Sequence, residues 1–92
     1  MRSMTTWTVI PGAVREAVDR FLANEGAPVA GVKLVERWHR ADCSGGFVLY
    51  ESDSPAAMFE NAAMWADALA LQTVVVVGDA EAGAAFAKVF KK

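Results

Sequence analysis

Two strand-like segments, residues 29–39 and 47–51, are joined only by the turn-forming run 40–46 (RADCSGG), and an amphipathic helix stands on either side of the pair. That placement of a hairpin between two helices constrains the fold more than any other feature. Before it, Val14, Val18, Phe21 and Leu22 recur at i, i+4, i+7 and i+8, one stripe of a helix over residues 13–25. Arg15–Asp19 and Glu16–Arg20 are opposite charges four apart on its solvated side, worth a few tenths of a kcal/mol each. Gly26 supplies a left-handed stop, and Pro28 prevents continuation. After the hairpin, Ser54 caps a second helix and Pro55 stands where its missing N–H costs nothing. That helix runs to about residue 68, with Met58, Ala62, Trp65 and Leu69 on one stripe.

Residues 5–10 are β-branched and aromatic and stop at Pro11-Gly12, which makes them a first strand. Residues 71–77 form a fourth, whose valine run points to burial on both faces. Gly78-Asp79 turns into a last helix capped by Asp79, with Phe86, Val89 and Phe90 on its inner side. The order β-α-β-β-α-β with an added C-terminal helix is the split βαβ, ferredoxin-like α+β arrangement. It has one four-stranded antiparallel sheet with both helices on one face. Strict alternation along the second strand sets Val32, Leu34 and Trp38 on one face and Lys33, Val35, Arg37 and His39 on the other.

Such a sheet has a second, open face on the order of 300 Å². At ~25 cal/mol per Å², leaving an apolar face of that size wet forgoes several kcal/mol. Either the last helix or a second subunit must cover it, and the odd extra helix with the valine-rich fourth strand favours a two-fold homodimer. The composition demands burial as well, being 54% hydrophobic and 22% charged, in a chain of 92 residues that suffices for a single domain, residues 1–92. Nine basic against eleven acidic residues, with only Lys91 and Lys92 adjacent at the end, leave no footprint for nucleic acid. The longest aliphatic run, residues 74–77, is far short of the ~20 residues needed to span a bilayer. A lone cysteine, Cys43, allows no internal disulfide, and no apolar signal core opens the chain, so a reducing cytoplasm is the expected compartment.

The runs 31–38 (GVKLVERW), 47–51 (FVLYE), 53–55 (DSP), 65–67 (WAD) and 74–77 (VVVV) resemble a family of small dimeric α/β-barrel proteins that carries only a domain-of-unknown-function label. The resemblance covers nearly the whole chain. It implies a ferredoxin-like subunit whose sheet faces its partner's across a barrel-like cavity. More remotely, the architecture is similar to cofactor-free quinone-forming monooxygenases, haem-degrading enzymes and muconolactone isomerases. The first strand lacks the asparagine of the haem-degrading pattern. Met64 and Val75 stand where the nearer family usually has a basic residue and a proline, which argues against a charged-ligand site at the end of the second helix.

Within that frame, His39 is the only imidazole, the side chain most used for general-base work near neutral pH. Arg37 shares its parity and is a candidate anion clamp. The bland alternative is a solvated histidine at a hairpin mouth. Glu51 matches the family's motif and is a second catalytic candidate if buried in a pocket, or else a partner for a nearby cation. Trp38, Tyr50 and Trp65 are candidate contacts to a planar ligand, against the ordinary role of aromatics as core area. No metal site and no cofactor is expected. Two functional readings follow. The first is a homodimeric barrel binding a small apolar or aromatic ligand within it; any reaction would be of the cofactor-free monooxygenase or isomerase kind that the resemblance implies. The second is a non-catalytic dimerisation or interaction module with a fully packed sheet face.

Overall fold

A computed structural model describes residues 1–91; Lys92, half of the basic terminal pair, lies outside them. The elements are β1 (Arg2–Val9), α1 (Val14–Asn24), β2 (Lys33–His39), β3 (Gly45–Glu51), α2 (Pro55–Ala63), β4 (Leu69–Val76) and α3 (Asp79–Val89). The strands form one antiparallel sheet in the order β2-β3-β1-β4, the ferredoxin-like topology with an extra C-terminal helix.

β1 starts earlier than its β-branched residues suggest, because as an inner strand it has ladder partners from Arg2 onward in both β3 and β4. Its odd residues, Ser3, Thr5, Trp7 and Val9, point toward α1 and α2. Across the sheet the register builds rows on that face: Val75–Ser3–Tyr50–Leu34, then Thr73–Thr5–Val48–Arg37, then Leu71–Trp7–Gly46–His39. The last row requires glycine. A Cβ at Gly46 would meet the Trp38 carbonyl oxygen and the Trp7 indole, which lies flat where a side chain would stand.

β2 does not alternate. Its register slips between Leu34 and Glu36, so Val35 is an extra residue in a β-bulge. The bulge returns Leu34, Arg37 and His39 to one face, toward the helices, and puts Lys33, Glu36 and Trp38 on the other. The expected grouping of Leu34 with Trp38 is thereby broken. The turn to β3 carries Cys43 at φ 66°, steadied by Asp42, whose Oδ1 accepts from the Ser44 N–H at 3.0 Å. Hydrogen bonding by the Ser44 side chain, and then by its N–H, holds the Asp42 carboxyl below its ordinary value.

The helices follow their signals with adjustments. α1 ends in two left-handed residues, Glu25 and Gly26, rather than at the glycine alone. Ser54 caps α2 as expected, its Oγ accepting from the Ala57 N–H at 3.1 Å. α2 itself stops at Ala63; residues 64–68 continue in tight turns, in which the N–H groups of Trp65, Ala66 and Ala68 bond three residues back. α3 begins after Gly78, which is its cap, and no side chain caps it, Asp79 included.

The C-terminal third departs from expectation in burial. β4 is an edge strand, flanked only by β1, and Val74 and Val75 within it and Val77 just past its end are all exposed. No residue of α3 is buried, and Phe86, Val89 and Phe90 have no inner side to face. Substituting Gly46→Ala tests the tight row beneath Trp7. The added methyl costs about 1–3 kcal/mol of overpacking, to be read as a lower urea midpoint; an unchanged midpoint would mean that the indole does not lie over Gly46.

Candidate functional site

The helix layer does not close onto the sheet. Between them lies a cleft of about 460 Å³, floored by the odd residues of β1 and roofed by Val14, Val18 and Phe21 of α1, by Met58 and Ala62 of α2, and by Trp65 in the turn after it. Of the residues of α1 only Ala17 is buried; Val14 and Val18 remain exposed although they face inward. The cleft is open to solvent along its rim, where Val14 and Val18 stay exposed, and its walls are mostly apolar.

Polar contacts, rather than packing, hold α1 in place. Arg37 donates from Nη1 to the Glu25 carbonyl oxygen (3.2 Å) and from Nη2 to that of Gly26 (2.6 Å), capping the C-terminus of α1 from β2, with its guanidinium 5.6 Å from the Phe21 ring centre. Gly26 has to be glycine for this, since a Cβ there would meet both the Arg37 guanidinium and the Phe21 ring. On the other side, Arg20 donates to both carboxylate oxygens of Asp67 (2.8 and 2.7 Å), to Glu16 Oε1 (2.6 Å) and to the Met64 carbonyl oxygen (2.9 Å). It also lies over Trp65. These bonds push the Arg20 guanidinium further up and hold the Asp67 carboxyl below its ordinary value of 3.8.

The sequence-derived candidates separate cleanly. His39, Arg37, Tyr50 and Trp65 line the cleft. His39 stands at its rim, edge-on to Trp7 (5.5 Å between ring centres) and to Phe21 (5.4 Å). Arg37 has two of its donors committed to α1, so its part in the cleft is positional. Trp38 and Glu51 are elsewhere: Trp38 is exposed on the open face opposite Phe47, and Glu51 is half-exposed with Arg2 3.8 Å away. Glu51 is thus not a buried acid, and it does not meet His39.

Ser3, Thr5 and Asn61, which the sequence reading passed over as site residues, are the buried polar residues of the cleft lining. Asn61 is 6% exposed; its Oδ1 accepts from the Val29 N–H at 3.1 Å, which fixes the amide so that Nδ2 opens to the cleft. Ser3 is 2% exposed and its hydroxyl also opens there. Neither Nδ2 nor that hydroxyl makes a hydrogen bond among the described residues, and neither atom is shut away from solvent, since no buried side-chain N or O among those residues lacks a partner. Thr5 and Thr73 hydroxyls pair with each other at 2.7 Å on the same floor. Asn61 carried a readable signal, being the one polar residue within the apolar stripe Met58–Ala62–Trp65. Ser3 carried none, because a small polar residue at a chain start reads as solvent-facing.

With the geometry established, comparison with known proteins places the chain. The profile of one family, described as a domain of unknown function (DUF3303), matches residues 1–90. The chain belongs to the DUF3303 family. No curated protein and no solved structure matches it. The family carries no assigned activity, so the chemistry of this DUF3303 domain is argued from its own cleft. Among the described residues no group of three or more His, Cys, Asp or Glu stands close enough to hold a metal ion, and no helix is long and apolar enough to cross a membrane.

The Arg20–Asp67 latch has a pH signature. A carboxyl held below its ordinary value in the folded chain stabilises the fold above that value, and its contribution is lost as pH falls through the folded one. Asp67→Asn should lower the thermal midpoint at pH 7, and between about pH 5 and pH 2 the variant's midpoint should fall less than the parent's. Parallel curves would show that the latch contributes nothing to stability.

Proposed function

We propose that this DUF3303 protein is a homodimeric carrier or receptor of a small, planar, largely apolar molecule, held in the cleft of each subunit between the sheet and the helices. The observation that carries the reading is the pairing of mostly apolar walls with two polar groups on buried residues, Ser3 Oγ and Asn61 Nδ2, that make no hydrogen bond within the chain and are left accessible from the cleft. Binding sites for small molecules are built this way: mostly apolar surface for affinity, a few fixed polar groups for orientation. Asn61 Nδ2 can only donate and Ser3 can do either, so the favoured ligand carries an acceptor such as a carbonyl or hydroxyl oxygen. Trp7, Phe21 and Trp65 supply ring faces and edges, and His39 meets the ligand's outer end at the rim.

The same reading reassigns the two roles that the open face was expected to share. The ligand belongs to the helix side of the sheet. The open side, with Trp38, Phe47 and Val74 exposed in a cross-strand patch, is left as the seam between subunits. Ligand binding and dimerisation then use opposite faces and do not compete.

Calorimetric titration with 2-naphthol, a bicyclic probe with one hydroxyl, tests the site. Ala62 is half-buried on the roof, and Ala62→Leu fills part of the cleft without adding a polar group. The parent should bind the probe, and Ala62→Leu should weaken binding at least tenfold while raising unfolding stability by about 0.5–2 kcal/mol, as cavity-filling changes do. Absence of binding in the parent, or equal affinity in both, would remove the cleft as the site.

A further inference from the structure

We infer that α3 is an exchanged arm: it docks its Phe86–Val89–Phe90 stripe on a second copy of this chain, beside the seam formed by the open sheet faces. The inference rests on the homodimer reading and adds the element that secures it. α3 has 11 residues, and none is buried. Helices shorter than ~12–15 residues are marginal in water without tertiary packing, so an unsupported α3 needs a surface to lie on. Its own chain does not provide one. Phe86 and Phe90 stack on each other at 6.2 Å yet remain 62% and 73% exposed, and Val89 on the same stripe is 70% exposed. The connector from β4 is only Val77 and Gly78, and Gly78 is extended, which carries the helix outward from the sheet.

The size of the shortfall points to a second copy. The chain exposes 6413 Å², whereas a compact chain of its mass exposes about 5,200 Å². Its radius of gyration is 15.6 Å against about 12 Å for a compact chain of this length. The excess, ~1,200 Å² per chain, doubles to more than the ~1,200–2,000 Å² that stable interfaces bury. Two-fold pairing lets one contact cover both unpartnered surfaces of each chain, the arm and the open face.

Sedimentation equilibrium of the full chain at micromolar concentration should give twice the chain mass. The double variant Phe86→Asp/Phe90→Asp should weaken the dimer at least ~100-fold, from the loss of two buried aromatics per chain, while retaining the parent's circular dichroism. An equally tight dimer would overturn the arm and leave the homodimer standing. A monomeric full chain would overturn both, and would assign α3 to a different protein. Should the variant not fold, hydrogen exchange on the unmodified protein decides the matter. The α3 amides should be protected at high concentration and lose protection on dilution; exchange that is fast throughout, or protected in the monomer, would contradict the arm.

Discussion

One extra residue in β2 sets the chemistry of the two sheet faces. Val35 forms a bulge, and every side chain after it changes sides relative to regular alternation. Without it, Trp38 would face the helices and Arg37 and His39 the open side. With it, the guanidinium of Arg37 reaches the end of α1, and His39 enters the aromatic edge contacts with Trp7 and Phe21 at the cleft rim. Trp38 is sent out to join Phe47 on the open face. The slip decides which face receives Trp38 and which receives Arg37 and His39.

The cleft exists because α1 is held at its edges instead of being packed down. Arg37 ties its C-terminus to β2, and Arg20 ties its flank to Asp67 and the Met64 carbonyl beyond α2. Between these contacts Val14, Val18 and Phe21 overhang the floor without closing on it. Charge-assisted hydrogen bonds have fixed geometry, whereas apolar packing alone would favour collapse onto Trp7 and Val48. A small domain that leaves such a cleft between its layers forgoes core packing there.

Much of this was legible in the residues. The helical stripe of α1, the Ser54-Pro55 start of α2 and the order of elements depend on local chemistry, and each stands where the sequence puts it; the hairpin turn is shorter than expected, with Gly45 and Gly46 already in β3. The bulge was not legible, because alternation in residues 29–39 reads equally well with or without a slip, and the ladder to β3 decides between them. The valines of β4 misled for a related reason: a β-branched run reports strand propensity, and only the strand order shows that this strand is an edge. Four of the six candidate residues, Arg37, His39, Tyr50 and Trp65, were brought to one cleft. Trp38 and Glu51 were not, since their faces follow from the bulge and from the pairing of Glu51 near Arg2. Asn61 and Ser3 gain meaning only once the space above them is known.

The three tryptophans provide a direct test of that division, since Trp7 and Trp65 line the cleft and Trp38 lies on the opposite face. The measurement is a titration of nitrogen-15 labelled protein with 2-naphthol, following the three indole N–H resonances. The account predicts that the Trp7 and Trp65 signals move with one shared saturation curve while Trp38 stays fixed. A shift of Trp38 with the other two unmoved would place the ligand in the seam between sheets and contradict it.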